Sequence, residues 1–151
     1  MPVVVPVKIP VQSVQKRPWK SLRSTTLKLQ RIAGIEPDDC FYIQNYQTVI
    51  GKDRLDLRVD PPPDLAIESD LTSKTEAKAY LAIRVPELWV YEDGKLTVNV
   101  LQNNEYIESA ISPTFPGLPL TEMISQTIKQ AKETGMSPAL LEIEGWVNDQ
   151  S

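Results

Sequence analysis

The chain has 151 residues, 41 % of them hydrophobic, and a net charge of −4. That size and apolar share fit one folded domain, and the charge leaves no global basic field to draw in nucleic acid. Histidine is absent and cysteine occurs once, at Cys40, which removes imidazole catalysis, His–Zn sites and an internal disulfide and fits a reducing cytoplasm.

Residues 1–20 read as an irregular arm, and residues 21–151 as the domain. Pro2, Pro6 and Pro10 interrupt the apolar start. It has neither a basic leader nor a continuous apolar core, so a signal peptide is not expected. No stretch approaches the ~18–20 apolar residues that span a bilayer, so no membrane is expected as a partner. Lys16, Arg17, Lys20, Arg23, Lys28 and Arg31 crowd one short window. They suit either a solubilising tail or an arm that contacts phosphates.

Pro37-Asp38-Asp39 signals a turn, and Cys40 to Gln44 reads as a strand rich in aromatic and β-branched residues. A polar loop from Lys52 closes with Asp60-Pro61-Pro62-Pro63, a stiff extended entry. Asp64 to Leu71 follows as a strand. Alternation sends Leu65, Ile67, Ser69 and Leu71 to one side, and Asp64, Ala66, Glu68 and Asp70 to the other. Thr72 or Ser73 caps a helix running to about Arg84, with Ala77, Tyr80, Leu81 and Ile83 on one stripe. Glu87 to Tyr91 is a strand, Asp93-Gly94 a two-residue hairpin turn, and Lys95 to Leu101 the return. Asn103-Asn104 turns the chain again into Tyr106 to Ser109. Thr121 caps a helix with Met123, Ile124, Thr127, Ile128 and Ala131 on one face, ended by Gly135. Ser137-Pro138 starts a last helix through Val147. The order predicts a mixed α/β (α+β) fold, its sheet covered on at least one face.

The segment from Asp64 to Asp70 is the only dense cluster with a mechanism. On a strand Glu68 and Asp70 point the same way, about 6.5–7 Å apart, so one cation could lie between them. Asp64 is about 13 Å back along the strand. A third acid would come from a neighbouring strand, and Asp38 or Asp39 precedes one. Clustered carboxylates repel, and Mg²⁺ or Mn²⁺ relieves that repulsion. The bland reading is the solvent side of an edge strand, where charges block aggregation. Trp89, Tyr91 and Trp146 read as packing residues, and Cys40 as a small buried hydrophobe.

The run Pro62-Pro63-Asp64-Leu65-Ala66-Ile67-Glu68, then Tyr80, then Val85-Pro86-Glu87-Leu88-Trp89, resembles a large bacterial family of restriction-endonuclease-like domains. Glu36 to Asn45 and Ser112-Pro113-Thr114-Phe115-Pro116-Gly117-Leu118 extend the likeness, which covers roughly residues 18–125. The family resembles the PD-(D/E)xK nucleases. It implies a mixed β-sheet flanked by helices and a metal-dependent endonuclease acting on DNA. Matched residue by residue, Asp38 is the first acid, Glu68 the second, and Asp64 the acid of the second Pro-Asp. Asp70 stands where a Glu-x-Lys motif would put its lysine. The family's helix lysine falls one turn before Tyr80, and Glu76 occupies that position. Arg84 replaces a common glycine, and residues 1–20 do not resemble the family's N-terminal region, as in a truncated or diverged copy.

The resemblance therefore implies that Asp38, Glu68 and Asp70 hold Mg²⁺ or Mn²⁺, with Lys74 or Lys78 positioning a water or offsetting charge on the phosphate. Two other functions stay open. One is a catalytically inactive remnant that serves as an interaction module. The other is a nucleic-acid binder that uses the basic N-terminal window. A homodimer is also left open.

Overall fold

Eight strands and three helices alternate along the described residues of this computed structural model, which are 20–21, 27–29, 33–52, 55–69, 74–92, 95–117 and 119–135. The elements are β1 (Lys20–Ser21), β2 (Leu27–Leu29), β3 (Ala33–Ile35), β4 (Asp39–Tyr42), α1 (Tyr46–Val49), β5 (Leu65–Glu68), α2 (Lys74–Ile83), β6 (Glu87–Glu92), β7 (Lys95–Gln102), β8 (Glu105–Ser109) and α3 (Leu120–Thr134). Six strands form one sheet in the order β1-β4-β5-β6-β7-β8, while β2 and β3 form a separate ribbon. Only β5 and β6 run parallel among these pairs. A parallel pair needs a long crossover, and α2 supplies it. The expected mixed sheet with flanking helices is therefore present.

The alternation read from the sequence sets which residues face which helix. Leu65 and Ile67 of β5 join Phe41, Trp89, Leu96 and Val98 in a core that α3 covers with Leu120, Met123 and Ile124. Trp89 is fully buried and meets Phe115 edge-on, ring centroids 6.0 Å apart. That geometry suits the quadrupoles of two aromatic rings. Ala66, Cys40, Leu88 and Val90 point to the other face. There they pack with Ala79, Tyr80 and Ile83 of α2 and with Leu27 and Ile35 of the ribbon. Cys40 is a fully buried small hydrophobe, as its setting predicts.

Several boundaries differ from expectation. The β5 strand ends at Glu68 and Ser69 begins a bend, so the alternation stops before Asp70. The last long helix begins at Leu120, with Met123 N–H donating to Pro119 C=O at 2.9 Å, so Thr121 lies inside its first turn. Helix α2 ends on Arg84, whose φ of 65° is left-handed and whose N–H donates to Tyr80 C=O. A glycine at that position would avoid the Cβ clash that Arg84 bears. Asn103 and Asn104, both at positive φ, make the tight β7–β8 turn, since each tolerates the left-handed region. Beyond Gly135, at φ 99°, the expected last helix lies outside the described residues. So do Thr72, Ser73, Asp93, Gly94 and most of the N-terminal arm. No helix among the described residues is long and apolar enough to cross a membrane.

Candidate active site

The β4–β5 register assembles the site. Asp39 faces Ile67 and Cys40 faces Ala66 across the antiparallel ladder. Just beyond these pairs, Asp38 precedes β4 and Glu68 closes β5, near enough for the Asp38 charge to act on the Glu68 carboxyl. Two acids that are 30 positions apart in the chain are thereby brought together.

Each acid has its own support. Asp38 Oδ2 accepts from Ser69 N–H at 2.7 Å and from Ser69 Oγ at 2.6 Å. Glu68 Oε1 accepts from the Tyr80 phenol at 2.5 Å, and both residues are buried. Burial pushes the Glu68 carboxyl up from its ordinary 4.5 to about 7. The Tyr80 hydrogen bond pulls the other way, and the negative charges of Asp38 and Glu76 add to the rise. Burial and the Glu68 carboxylate keep the Tyr80 phenol protonated far above its ordinary range.

Asp64 is placed elsewhere. Its Oδ2 accepts from Ile43 N–H at 2.7 Å and Asn45 N–H at 3.1 Å, and its Oδ1 accepts from Asn45 Nδ2 at 2.9 Å. This carboxylate pins the turn between β4 and α1 to the start of β5. Lys78 is exposed, and its offset of two residues from Glu76 and Tyr80 puts it on the opposite side of α2. Asp70 and the Lys74 side chain lie outside the described residues. Glu76, at the family's lysine position, is half-buried and acts on Glu68 as a like charge.

Three contributors escaped the sequence reading. Ser69 was assigned to the greasy side of a longer strand, but the bend turns its hydroxyl to Asp38. Tyr80 entered as part of an apolar stripe and of the family likeness, with no partner for its hydroxyl. Glu87, buried at the start of β6, accepts from Trp89 Nε1 at 2.7 Å, Ser112 Oγ at 2.8 Å, and Thr114 N–H and Oγ1 at 3.2 and 3.3 Å. Its burial raises its own pKa, while these donors oppose the rise. A charged residue opening an otherwise apolar strand was the available signal.

A cleft of about 250 Å³ opens beside this row, floored by Leu88 and Val90 and rimmed by Ala77, Thr97, Asn99 and Tyr106. Val90 is the direct parallel partner of Glu68, so the cleft begins one strand away from the acids. Among the described residues no three His, Cys, Asp or Glu side chains gather closely enough to hold a metal ion. Asp38 and Glu68 nevertheless offer hard oxygen donors. Mg²⁺ commonly takes one or two carboxylates and completes its shell with water and substrate phosphate. The donor set thus fits a Mg²⁺-type ion.

The Uma2 family model, described as "Putative restriction endonuclease", matches residues 8–131. The chain belongs to the Uma2 family. The matched span contains Asp38, Asp64, Glu68 and Tyr80, and it also contains the Glu87 network. It begins at residue 8, upstream of where the sequence likeness starts. Uma2 membership accounts for the ordered blocks in the sequence. The block at Val85–Trp89 and the block at Ser112–Gly117 are joined through the Glu87 carboxylate. No curated protein matches the chain.

Proposed function

We propose that this chain is a metal-dependent endonuclease that hydrolyses phosphodiester bonds in DNA and works in the cytoplasm. The observation that carries the reading is the closeness of Asp38, just before β4, to Glu68 at the end of β5, with an open cleft one strand away. Asp38 and Glu68, with Asp70 as the third candidate, would hold Mg²⁺ or Mn²⁺. When bound, the ion polarises a phosphate and acidifies a water. The chain's own residues do the rest. Ser69 holds Asp38 in place, and Tyr80 holds Glu68. Charge developing on the phosphate falls to Lys74 or Lys78. The exposed Lys78 stands on the side of α2 away from Tyr80 and Glu68, which counts against it in that role.

Purified protein should nick supercoiled plasmid in Mg²⁺ or Mn²⁺, and Glu68→Ala should stop it. Undiminished nicking by the variant would end the assignment. One observation favours a second reading, a catalytically inactive module. Glu76 puts a negative charge where the family carries its lysine, next to Glu68. Metal binding with no nicking under any metal or substrate condition would select that alternative.

A further inference from the structure

The Tyr80 phenol is fully buried, sits on the inward face of α2 and donates to a single oxygen of Glu68. The residue is itself fixed at its backbone. Tyr106 Oη donates to Tyr80 C=O at 3.2 Å and to Val85 C=O at 2.6 Å, tying the C-terminal turn of α2 to β8. The ring packs among Cys40, Ala66 and Ala79, which limits the directions its hydroxyl can take. Glu68 lies at the last position of β5, paired with Val90 of β6. A carboxylate has about four lone-pair sites, so one donor on Oε1 orients the group and leaves capacity for a cation. Groups that hydrogen-bond a metal-ligating carboxylate set its direction and its affinity for the ion.

We infer that Tyr80 is a positioning residue, which holds Glu68 in the orientation that receives a divalent cation. The inference rests on the reading of Asp38 and Glu68 as metal ligands. Tyr80 touches neither the ion nor the substrate. Its effect is therefore on how tightly the metal binds and not on the rate once the metal is in place.

The test is a calorimetric Mn²⁺ titration of the full chain as wild type, Tyr80→Phe, Tyr42→Phe and Glu68→Ala, with a thermal melt of each. Tyr80→Phe keeps the ring and removes the donor. It should weaken Mn²⁺ binding about ten- to a hundredfold while still melting cooperatively. In plasmid nicking, the Mn²⁺ concentration for half-maximal rate should rise by the same factor, with the saturating rate restored. Tyr42→Phe removes a buried phenol that donates to Pro61 C=O and does not touch Glu68, and should bind Mn²⁺ within twofold of wild type. If Tyr80→Phe melts below the assay temperature, trimethylamine oxide, which favours the native state by exclusion, keeps the comparison possible. Unchanged affinity in Tyr80→Phe, with binding lost in Glu68→Ala, would overturn the inference alone. Unchanged affinity in Glu68→Ala would overturn the ligand assignment and the inference with it.

Discussion

Replacing Glu68 by glutamine tests the electrostatics of the site without any assumption about activity. The fold holds this carboxyl at about 7 against an ordinary 4.5. Near pH 4 both the folded and the unfolded chain keep the proton, so the group costs nothing. Between pH 4.5 and 7 the unfolded chain releases its proton while the fold retains it, and stability falls as pH rises. Above pH 7 the cost levels off at about 3 kcal/mol, at ~1.4 kcal/mol per pH unit. Glutamine keeps the shape and an oxygen for Tyr80 but carries no charge. Subtracting the two proteins cancels the other titrating groups. In metal-free buffer the advantage of Glu68→Gln over wild type should therefore grow by about 2 kcal/mol between pH 5.5 and pH 8. That is roughly 1 M in urea midpoint, at a slope of about 2 kcal/mol per M. Urea melts followed by tryptophan fluorescence at the two pH values read it directly. An advantage that stays constant across this range would show that Glu68 is not held neutral by its surroundings. Added Mn²⁺ should then stabilise wild type at pH 8 and leave Glu68→Gln unchanged.

Other residues lend themselves to similar tests. Glu87→Ala leaves the donors of Trp89, Ser112 and Thr114 without their acceptor in a dry interior, and should cost about 2–4 kcal/mol by denaturant melts; a loss under 1 kcal/mol would contradict the network. Asp64→Ala should cost about 2–3 kcal/mol by freeing the 43–45 turn. Its Mn²⁺ affinity should stay within twofold of wild type, and a larger drop would return Asp64 to the metal. Arg84→Gly should raise stability by about 0.5–1 kcal/mol, because glycine relieves the left-handed strain and the exposed bond from Arg84 to Asn104 is worth little. A lower melting temperature would show that this bond outweighs the strain.

Much of this architecture was legible from periodicity. The alternation of Leu65, Ala66, Ile67 and Glu68 predicted two faces, and the structure fills one from α3 and the other from α2. The Asn103-Asn104 turn and the strands on either side followed from local backbone preference. Other parts were not readable because they are tertiary. Strands β2 and β3 have three residues each, too few to show a period, and their ribbon exists because α2 offers it Tyr80 and Ile83 to pack on. The resemblance grouped Asp38 with Glu68, but only the fold shows the Asp38 charge acting on the Glu68 carboxyl. The role of Asp64 in pinning residues 43–45 depends on a turn 19 positions away or more. Tyr80 fitted an apolar stripe equally well with or without a partner for its hydroxyl.

Asp38 lies just beyond the last Cα pair of the β4–β5 ladder, Asp39 with Ile67, while Glu68 stays paired with Val90 of β6. Terminal rungs open at lower free energy than whole domains unfold. The Asp38 end should thus open and close more readily than the packed faces on either side. The Ser69 amide, held by Asp38 Oδ2, reports each such event. Its hydrogen-exchange rate should be well above that of Ile67 in the interior, and it should slow when a divalent ion clamps the two strands together. Whatever occupies this corner acts as the final stitch at the end of the sheet.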